Sequence, residues 1–135
     1  MNRTAIYART ASPNEAALGW QVQVLQGLAA TLNLNVAHTI RETASGLEFD
    51  RPGLQKLIRL SEHHKIDTIL MTNLDRIGRD ALNVLAVLEE LDSYGIKLII
   101  QGGDTVETDD NPLVKYLRRF TPHPSIEVVL ASTTE

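Results

Sequence analysis

The sequence of 135 residues contains no cysteine, few aromatic residues (4%) and no long apolar run. The absence of cysteine excludes disulfide bonds, thiolate catalysis and cysteine-ligated zinc sites. No stretch approaches the ~18 consecutive apolar residues of a membrane-spanning helix, and the first residues lack the apolar segment of a secretory signal. The sequence therefore predicts a cytoplasmic protein that does not associate with membranes.

The sequence also lacks an excess of positive charge. Its 13 lysine and arginine residues are outnumbered by 17 aspartate and glutamate residues, which gives a formal net charge of -4. Because the neutralisation of phosphates provides most of the non-specific affinity for nucleic acid, we expect this chain to hold nucleic acid only weakly by itself. A local group of basic side chains can still bind phosphate within an acidic protein.

The apolar residues that are present alternate between strand-like and helix-like patterns. Strands are expected at 4–8, 35–40, 67–72, 96–100 and 126–130, and helices at 14–32, 52–60, 81–94 and 113–120. Strands that alternate with helices through short connections indicate an α/β fold in which both faces of the sheet are covered. We therefore predict an open, mainly parallel sheet of four to five strands with helices on both faces.

Two arginine-bearing segments fall where a strand-like run gives way to a helix-like run. They are residues 50–54, with Arg51, and residues 74–80, with Arg76 and Arg79. Arg9 ends the first strand, and connections that follow parallel strands meet at one edge of the sheet, where ligands bind. Four guanidinium groups along one edge favour a phosphate ligand, because arginine matches phosphate oxygens with paired N–H donors.

Taken in order, these segments resemble the catalytic domain of the serine recombinases, the resolvase and invertase family. The resemblance covers about residues 5–100. It is carried by Ile6-Tyr7-Ala8-Arg9, Gln21, Ser45-Gly46, Phe49 to Leu54, and Leu74 to Asp80. It implies DNA strand cleavage and rejoining in site-specific recombination, with DNA as a partner and no metal or cofactor. It further implies a homodimer or a recombinase partner, and assigns residues 1–101 to a resolvase-like catalytic-type domain.

The resemblance also assigns roles to individual residues. Arginines that match Arg9, Arg51, Arg76 and Arg79 surround the DNA phosphate, and the acid that matches Asp75 orients them. Gln21 is carried over as a further site residue on the same basis. Such a set is physically reasonable, since a phosphoryl transfer spreads negative charge over oxygens that fixed cations can stabilise.

The sequence departs from the family pattern at the nucleophile. That pattern is Tyr-Ala-Arg, a small apolar residue and then serine, but the residues here are Tyr7-Ala8-Arg9-Thr10-Ala11-Ser12. Ala11 holds the nucleophile's position, and its methyl group cannot attack phosphorus. Ser12 lies one residue later, and Pro13 favours an extended backbone at Ser12. In an extended segment, a shift by one residue sends the side chain to the opposite face. Either the domain is catalytically inactive, or Ser12 is the nucleophile.

A second departure is expected after residue 101. Family members usually continue into a long dimerisation helix and a DNA-binding domain, whereas residues 102–135 predict a shortened region with neither. Three functions stay open at this point. The chain is a recombinase of DNA integration or a mobile element, a non-catalytic dimerising or regulatory module that binds DNA or a recombinase partner, or, from the fold alone, an α/β domain that binds a phosphate-containing ligand.

Overall fold

The computed structural model describes residues 2–101 and the backbone of residues 126–128. Its strands are β1 (Thr4–Thr10), β2 (Val36–Thr43), β3 (Thr68–Met71), β4 (Lys97–Ile100) and β5 (Ile126–Val128). They form one sheet in the order β2-β1-β3-β4-β5, and every neighbouring pair is parallel. The predicted α/β fold with a parallel sheet of four to five strands is confirmed.

Three helices connect the strands: α1 (Glu15–Thr31), α2 (Pro52–Glu62) and α3 (Ala81–Ser93). Their ends follow local chemistry, because Asn14 and Asp80 cap the amino ends of α1 and α3 with side-chain oxygens. Pro52 begins α2, and Gly95 takes the left-handed conformation (φ 77°) just after α3. A short 3-10 turn, Leu74–Arg76, lies between β3 and α3.

The helices cover both faces of the sheet, as predicted. On one face, the apolar sides of α2 and α3 pack on the sheet through residues such as Leu54, Leu57, Val84 and Leu88. On the other face, α1 packs through residues such as Leu18, Val22 and Leu25. Within the described ranges, no helix is long and apolar enough to cross a membrane.

The first two strands are longer than the apolar pattern predicts. β1 continues to Thr10 and β2 to Thr43, and these two residues are paired in the sheet. The reason is that β2 is an edge strand, so polar residues there can alternate between solvent and the sheet without breaking its backbone hydrogen bonds. At the other end of the chain, β5 matches three residues of the strand expected at 126–130. The helix expected at 113–120 lies outside the described residues.

Candidate active site

The carboxyl ends of β1 and β3 lie where the strand order of the sheet reverses. From β1, the sheet grows through β2 on one side and through β3 and β4 on the other. Ligands of open parallel sheets bind in the crevice beside such a reversal. Arg9 lies near the end of β1, and Arg76 and Arg79 follow β3, so three of the four selected arginines border this crevice.

Arg9 is 2% exposed, and backbone oxygens hold its guanidinium group. Its Nε donates to the Arg76 carbonyl (3.0 Å), its Nη1 to the Ala44 carbonyl (2.8 Å) and its Nη2 to the Asp75 carbonyl (2.6 Å). The Gln21 side chain fixes the backbone of Arg9, because it accepts from the Arg9 N–H (3.1 Å) and donates to the Arg9 carbonyl (3.0 Å). Two of the five guanidinium N–H groups have no partner among the residues that the structure describes.

Arg51 is 1% exposed, and its guanidinium group donates to five acceptors. These are the carbonyls of Glu48 (2.6 Å), Arg76 (3.0 Å) and Ile77 (2.8 Å), the Tyr7 hydroxyl (2.8 Å) and the Glu42 carboxylate (3.4 Å). Since charged donors make strong hydrogen bonds, Arg51 fixes the loop before α2 against the turn after β3. The structure places Arg51 beside Arg9 as a buried link between loops, and its contact with phosphate stays a prediction.

Glu42, near the end of β2, is a site residue that sequence reasoning missed. Its carboxylate accepts from the backbone N–H groups of Gly53 (2.9 Å) and Leu54 (3.1 Å) and from the Tyr7 hydroxyl. Those amides belong to the first turn of α2, where unpaired N–H groups and the helix dipole stabilise an anion. A usable signal existed, because Glu42 follows the buried Ile40 by two residues and so shares its core-facing side of the strand, where charges are rare.

Arg76 and Arg79 are the more accessible arginines of the site. Arg76 is half-buried, and its Nε donates to the Thr72 hydroxyl (3.2 Å). Arg79 is exposed, and its backbone N–H donates to the Gly46 carbonyl (3.0 Å). A Cβ at Gly46 would lie 2.9 Å from Nη2 of Arg9 and 3.1 Å from Cγ of Arg79, so this glycine lets the loop approach both arginines.

The charges of this group act on one another. Burial lowers the pKa of Arg9, and the neighbouring Arg51, Arg76 and Arg79 lower it further, while the electrostatic interaction with Tyr7 raises it. For Arg76, burial lowers the pKa, the adjacent Asp75 raises it and Arg79 lowers it. Asp75 thus favours the charged form of Arg76, while its orienting role stays a prediction. A bound anion would relieve the repulsion among the guanidinium groups.

Tyr7 is buried within the same group of charges. Burial raises its pKa, the hydrogen bond to Glu42 raises it further, and the charge and hydrogen bond of Arg51 oppose this rise. The hydroxyl therefore stays protonated at neutral pH, where it donates to Glu42 and accepts from Arg51. Tyr7 links the charged partners of the site without adding a charge of its own.

The segment after Arg9 leaves the sheet before it reaches Ser12. Thr10 is the last residue of β1, and its hydroxyl oxygen lies 3.3 Å from that of Thr43. Ala11 and Ser12 form an exposed bend that leads into α1. The alternation of side chains along a strand therefore applies only as far as Thr10, and does not by itself turn Ser12 away from the crevice.

Comparison with known proteins places the chain in a family. The family model described as "Resolvase, N terminal domain" matches residues 4–120. The chain is 30% identical over 130 residues to the transposon Tn3 resolvase of Escherichia coli, a match that covers 96% of this chain and 66% of that protein. It is also 38% identical over 55 residues to a DNA-invertase of Escherichia phage P1, which covers 41% of this chain and 28% of that protein.

Solved structures agree with this placement. The N-terminal catalytic domain of TP901-1 integrase is similar with a TM-score of 0.71 and 26% identity, over 87% of this chain and 92% of that one. The C-terminal catalytic domain of ISC1926 TnpA, an IS607-like serine recombinase, is similar with a TM-score of 0.69 and 31% identity, over 73% and 67% of the two chains. The chain belongs to the serine recombinase family.

Proposed function

We propose that this chain binds a DNA phosphodiester at Arg9, Arg76 and Arg79 and cleaves it with Ser12 as the nucleophile. The observation that carries the proposal is the convergence of these arginines at the carboxyl ends of β1 and β3. In the cleavage step, the Ser12 oxygen forms a bond to phosphorus and the bond from phosphorus to the 3′ oxygen breaks. The serine proton passes to the leaving 3′ oxygen, the 5′ phosphate stays on the protein, and rejoining reverses these changes.

The remaining site residues support the arginine cluster that Arg9, Arg76 and Arg79 form. Gln21 holds the Arg9 backbone through two hydrogen bonds, and Asp75 stabilises the charge of Arg76. Arg51 adds positive charge next to Arg9 and fixes the loop before α2 to the turn after β3, which carries Arg76. Cations that are held in place before the reaction stabilise developing negative charge without reorganising, and in many phosphoryl transfers this stabilisation contributes most of the rate enhancement.

Because the chain is acidic overall, we propose that it binds DNA weakly alone and acts as a homodimer or with a recombinase partner. The matched Tn3 resolvases extend beyond this chain, which spans 66% of their length. DNA affinity in a complete recombination complex is then the sum of several contacts, of which the arginine cluster is one.

A second candidate function is a non-catalytic module that contacts DNA or a recombinase partner. The observation that favours it is Ala11, which stands where the family pattern places its serine. Under this function the arginine cluster still binds phosphate, but no covalent bond to DNA forms.

A covalent-adduct assay separates the two functions. The purified chain is incubated with a supercoiled plasmid library that carries fragments of its source genome, and protein-linked DNA is isolated under denaturing conditions. If Ser12 is the nucleophile, the adduct forms, disappears in Ser12→Ala, and persists in the matched control Thr10→Ala. Mass spectrometry of the nuclease-digested adduct should place the nucleotide on Ser12.

The variant Ala11→Ser tests the non-catalytic function. If the wild-type chain forms no adduct and Ala11→Ser does, the site is intact and lacks only its nucleophile. If neither protein forms an adduct and Arg76→Ala leaves the affinity for DNA unchanged, the arginine cluster does not bind a phosphodiester.

A further inference from the structure

Two large apolar side chains are exposed on the segments that adjoin the arginine cluster. Leu47 is 74% exposed and Leu82 is 67% exposed, whereas most leucines in the described part of the chain are buried or half-buried. A single exposed leucine needs no explanation, but two on segments that meet at one charged site call for one.

Leu47 lies in the loop that passes over the arginines. It follows Gly46, whose backbone approaches the side chains of both Arg9 and Arg79 so closely that a Cβ would lie 2.9 Å and 3.1 Å from them. The loop is held in place, because the Gly46 carbonyl accepts from Arg79 and the Ser45 hydroxyl oxygen accepts from the Leu47 N–H (3.1 Å). Leu47 is therefore presented next to the cluster by a fixed backbone.

Leu82 lies on the other segment that borders the cluster. It is three residues after Arg79, in the first turn of α3, where its N–H donates to the capping oxygen of Asp80 (3.1 Å). The two leucines thus stand on the two segments, residues 45–48 and 79–82, that meet through the hydrogen bond between Gly46 and Arg79.

We propose that Leu47 and Leu82 contact the deoxyribose rings on either side of the phosphate and make the site prefer DNA to RNA. This inference rests on the proposed function, since it requires a phosphodiester at Arg9, Arg76 and Arg79. Every phosphodiester of a nucleic acid is flanked by two sugars, so a phosphate seated on the cluster brings sugars to its borders. The C2′ methylene of deoxyribose is apolar, whereas the 2′-hydroxyl of ribose loses its hydration against a leucine side chain.

Nucleic acid fits this surface better than a free phosphate ligand does. The cationic cluster matches the charge of the phosphate, and the apolar borders match the sugar faces that adjoin it. Inorganic phosphate or a small phosphorylated metabolite makes the charged contact with the arginines but has no pair of flanking sugars to contact both leucines. The two kinds of contact have separate signatures, because only the charged contact depends strongly on salt.

The test measures binding of the full chain to a short fluorescent DNA duplex of random sequence, and to single strands of DNA and RNA of equal length, at several salt concentrations. Leu47→Ser and Leu82→Ser should each weaken DNA binding by about three- to tenfold, as expected for partial burial of a leucine side chain. They should leave the salt slope unchanged and reduce the preference for the DNA strand over the RNA strand. Leu47→Met, which keeps an apolar side chain, should retain the affinity.

The matched control is Leu32→Ser. Leu32 is also exposed (38%), but it caps the carboxyl end of α1, at the opposite edge of the sheet, so DNA affinity should not change. Circular dichroism checks that each variant is folded, and sedimentation checks its oligomeric state. If Leu47→Ser and Leu82→Ser alter self-association and leave DNA binding unchanged, the leucines contact a second copy of the chain and the inference is wrong.

The arginine variants separate this inference from the proposed function. Arg79→Ala should lower the magnitude of the salt slope by about one, because one phosphate contact is lost. If the slope falls as expected while both leucine variants bind like wild type, only the sugar contact is refuted. If Arg79→Ala and Arg76→Ala leave both affinity and slope unchanged, the proposed phosphate site itself is refuted.

Discussion

The Glu42→Gln substitution probes the charged network behind the arginine cluster. The Glu42 side chain is 10% exposed and that of Arg51 is 1% exposed, so both charges are largely removed from water. Glutamine keeps one acceptor oxygen, which can still receive the Gly53 N–H. Its amide group cannot accept from Leu54, Tyr7 or Arg51, all of which donate to Oε2 of Glu42.

The size of the effect follows from these losses. Breaking one partner of a buried ion pair costs about 3–5 kcal/mol, and the long Arg51–Glu42 separation of 3.4 Å places this case at the lower end. We therefore expect the free energy of unfolding to fall by about 3 kcal/mol, which corresponds to a melting temperature lower by roughly 10 °C in a domain of this size. Urea unfolding followed by circular dichroism measures this change directly.

Two controls make the result interpretable. Glu48→Gln alters an exposed carboxylate on the neighbouring loop and should change stability by less than about 0.5 kcal/mol. The double variant Glu42→Gln/Arg51→Met removes the charge left unpaired and should be less destabilised than the sum of its single changes. A Glu42→Gln protein as stable as wild type would refute the view that this carboxylate holds the network together.

Three further predictions concern other parts of the structure. Burial raises the pKa of Tyr7 above its usual 10.0, so above about pH 10 the folded chain keeps a proton that the unfolded chain releases. The stability of the wild-type chain should therefore decline above about pH 10 more steeply than that of Tyr7→Phe, as measured by urea titrations at several pH values. Gly78→Ala should destabilise by about 1–3 kcal/mol in thermal unfolding, because a Cβ there would lie 2.1 Å from the Phe49 ring. Gly27→Ala, with nothing within 4 Å and a helical backbone, should instead stabilise by about 0.5–1 kcal/mol, and equal effects at both glycines would contradict this account. Glu48→Gln removes an acid beside the cluster and should raise DNA affinity by roughly two- to threefold in low-salt titrations, an effect that added salt abolishes.

Most of the fold could be predicted from the sequence because apolar periodicity and helix-end chemistry agree along the chain. Asn14, Pro52 and Gly95 mark helix ends in the sequence, and each takes the position that its chemistry favours. The ends of β1 and β2 could not be predicted, since Thr10 and Thr43 are held by their pairing in the sheet and not by an apolar pattern.

The sequence could predict at which edge of the sheet the candidate arginines lie, but it could not predict their hydrogen bonds. The order of strands and loops placed Arg9 and Arg51 near one edge, and the resemblance added Gln21. Neither could show that both guanidinium groups turn inward, because their acceptors are mostly carbonyl oxygens of irregular loops. The direction of each backbone carbonyl in these loops depends on the tertiary structure, and every residue type has the same carbonyl group, so the sequence does not indicate that direction.

The carbonyl oxygen of Arg76 accepts from both Arg9 and Arg51, at 3.0 Å in each case. One main-chain oxygen is therefore shared by two like charges, and every amino acid supplies that atom equally. Side-chain replacement at position 76 can delete a cation without freeing the other two. A displacement of the Leu74–Arg76 turn, in contrast, would move Arg76 and disturb the hydrogen bonds of Arg9 and Arg51 at the same time. The turn therefore couples the positions of the three arginines through its backbone, which alanine substitutions leave in place.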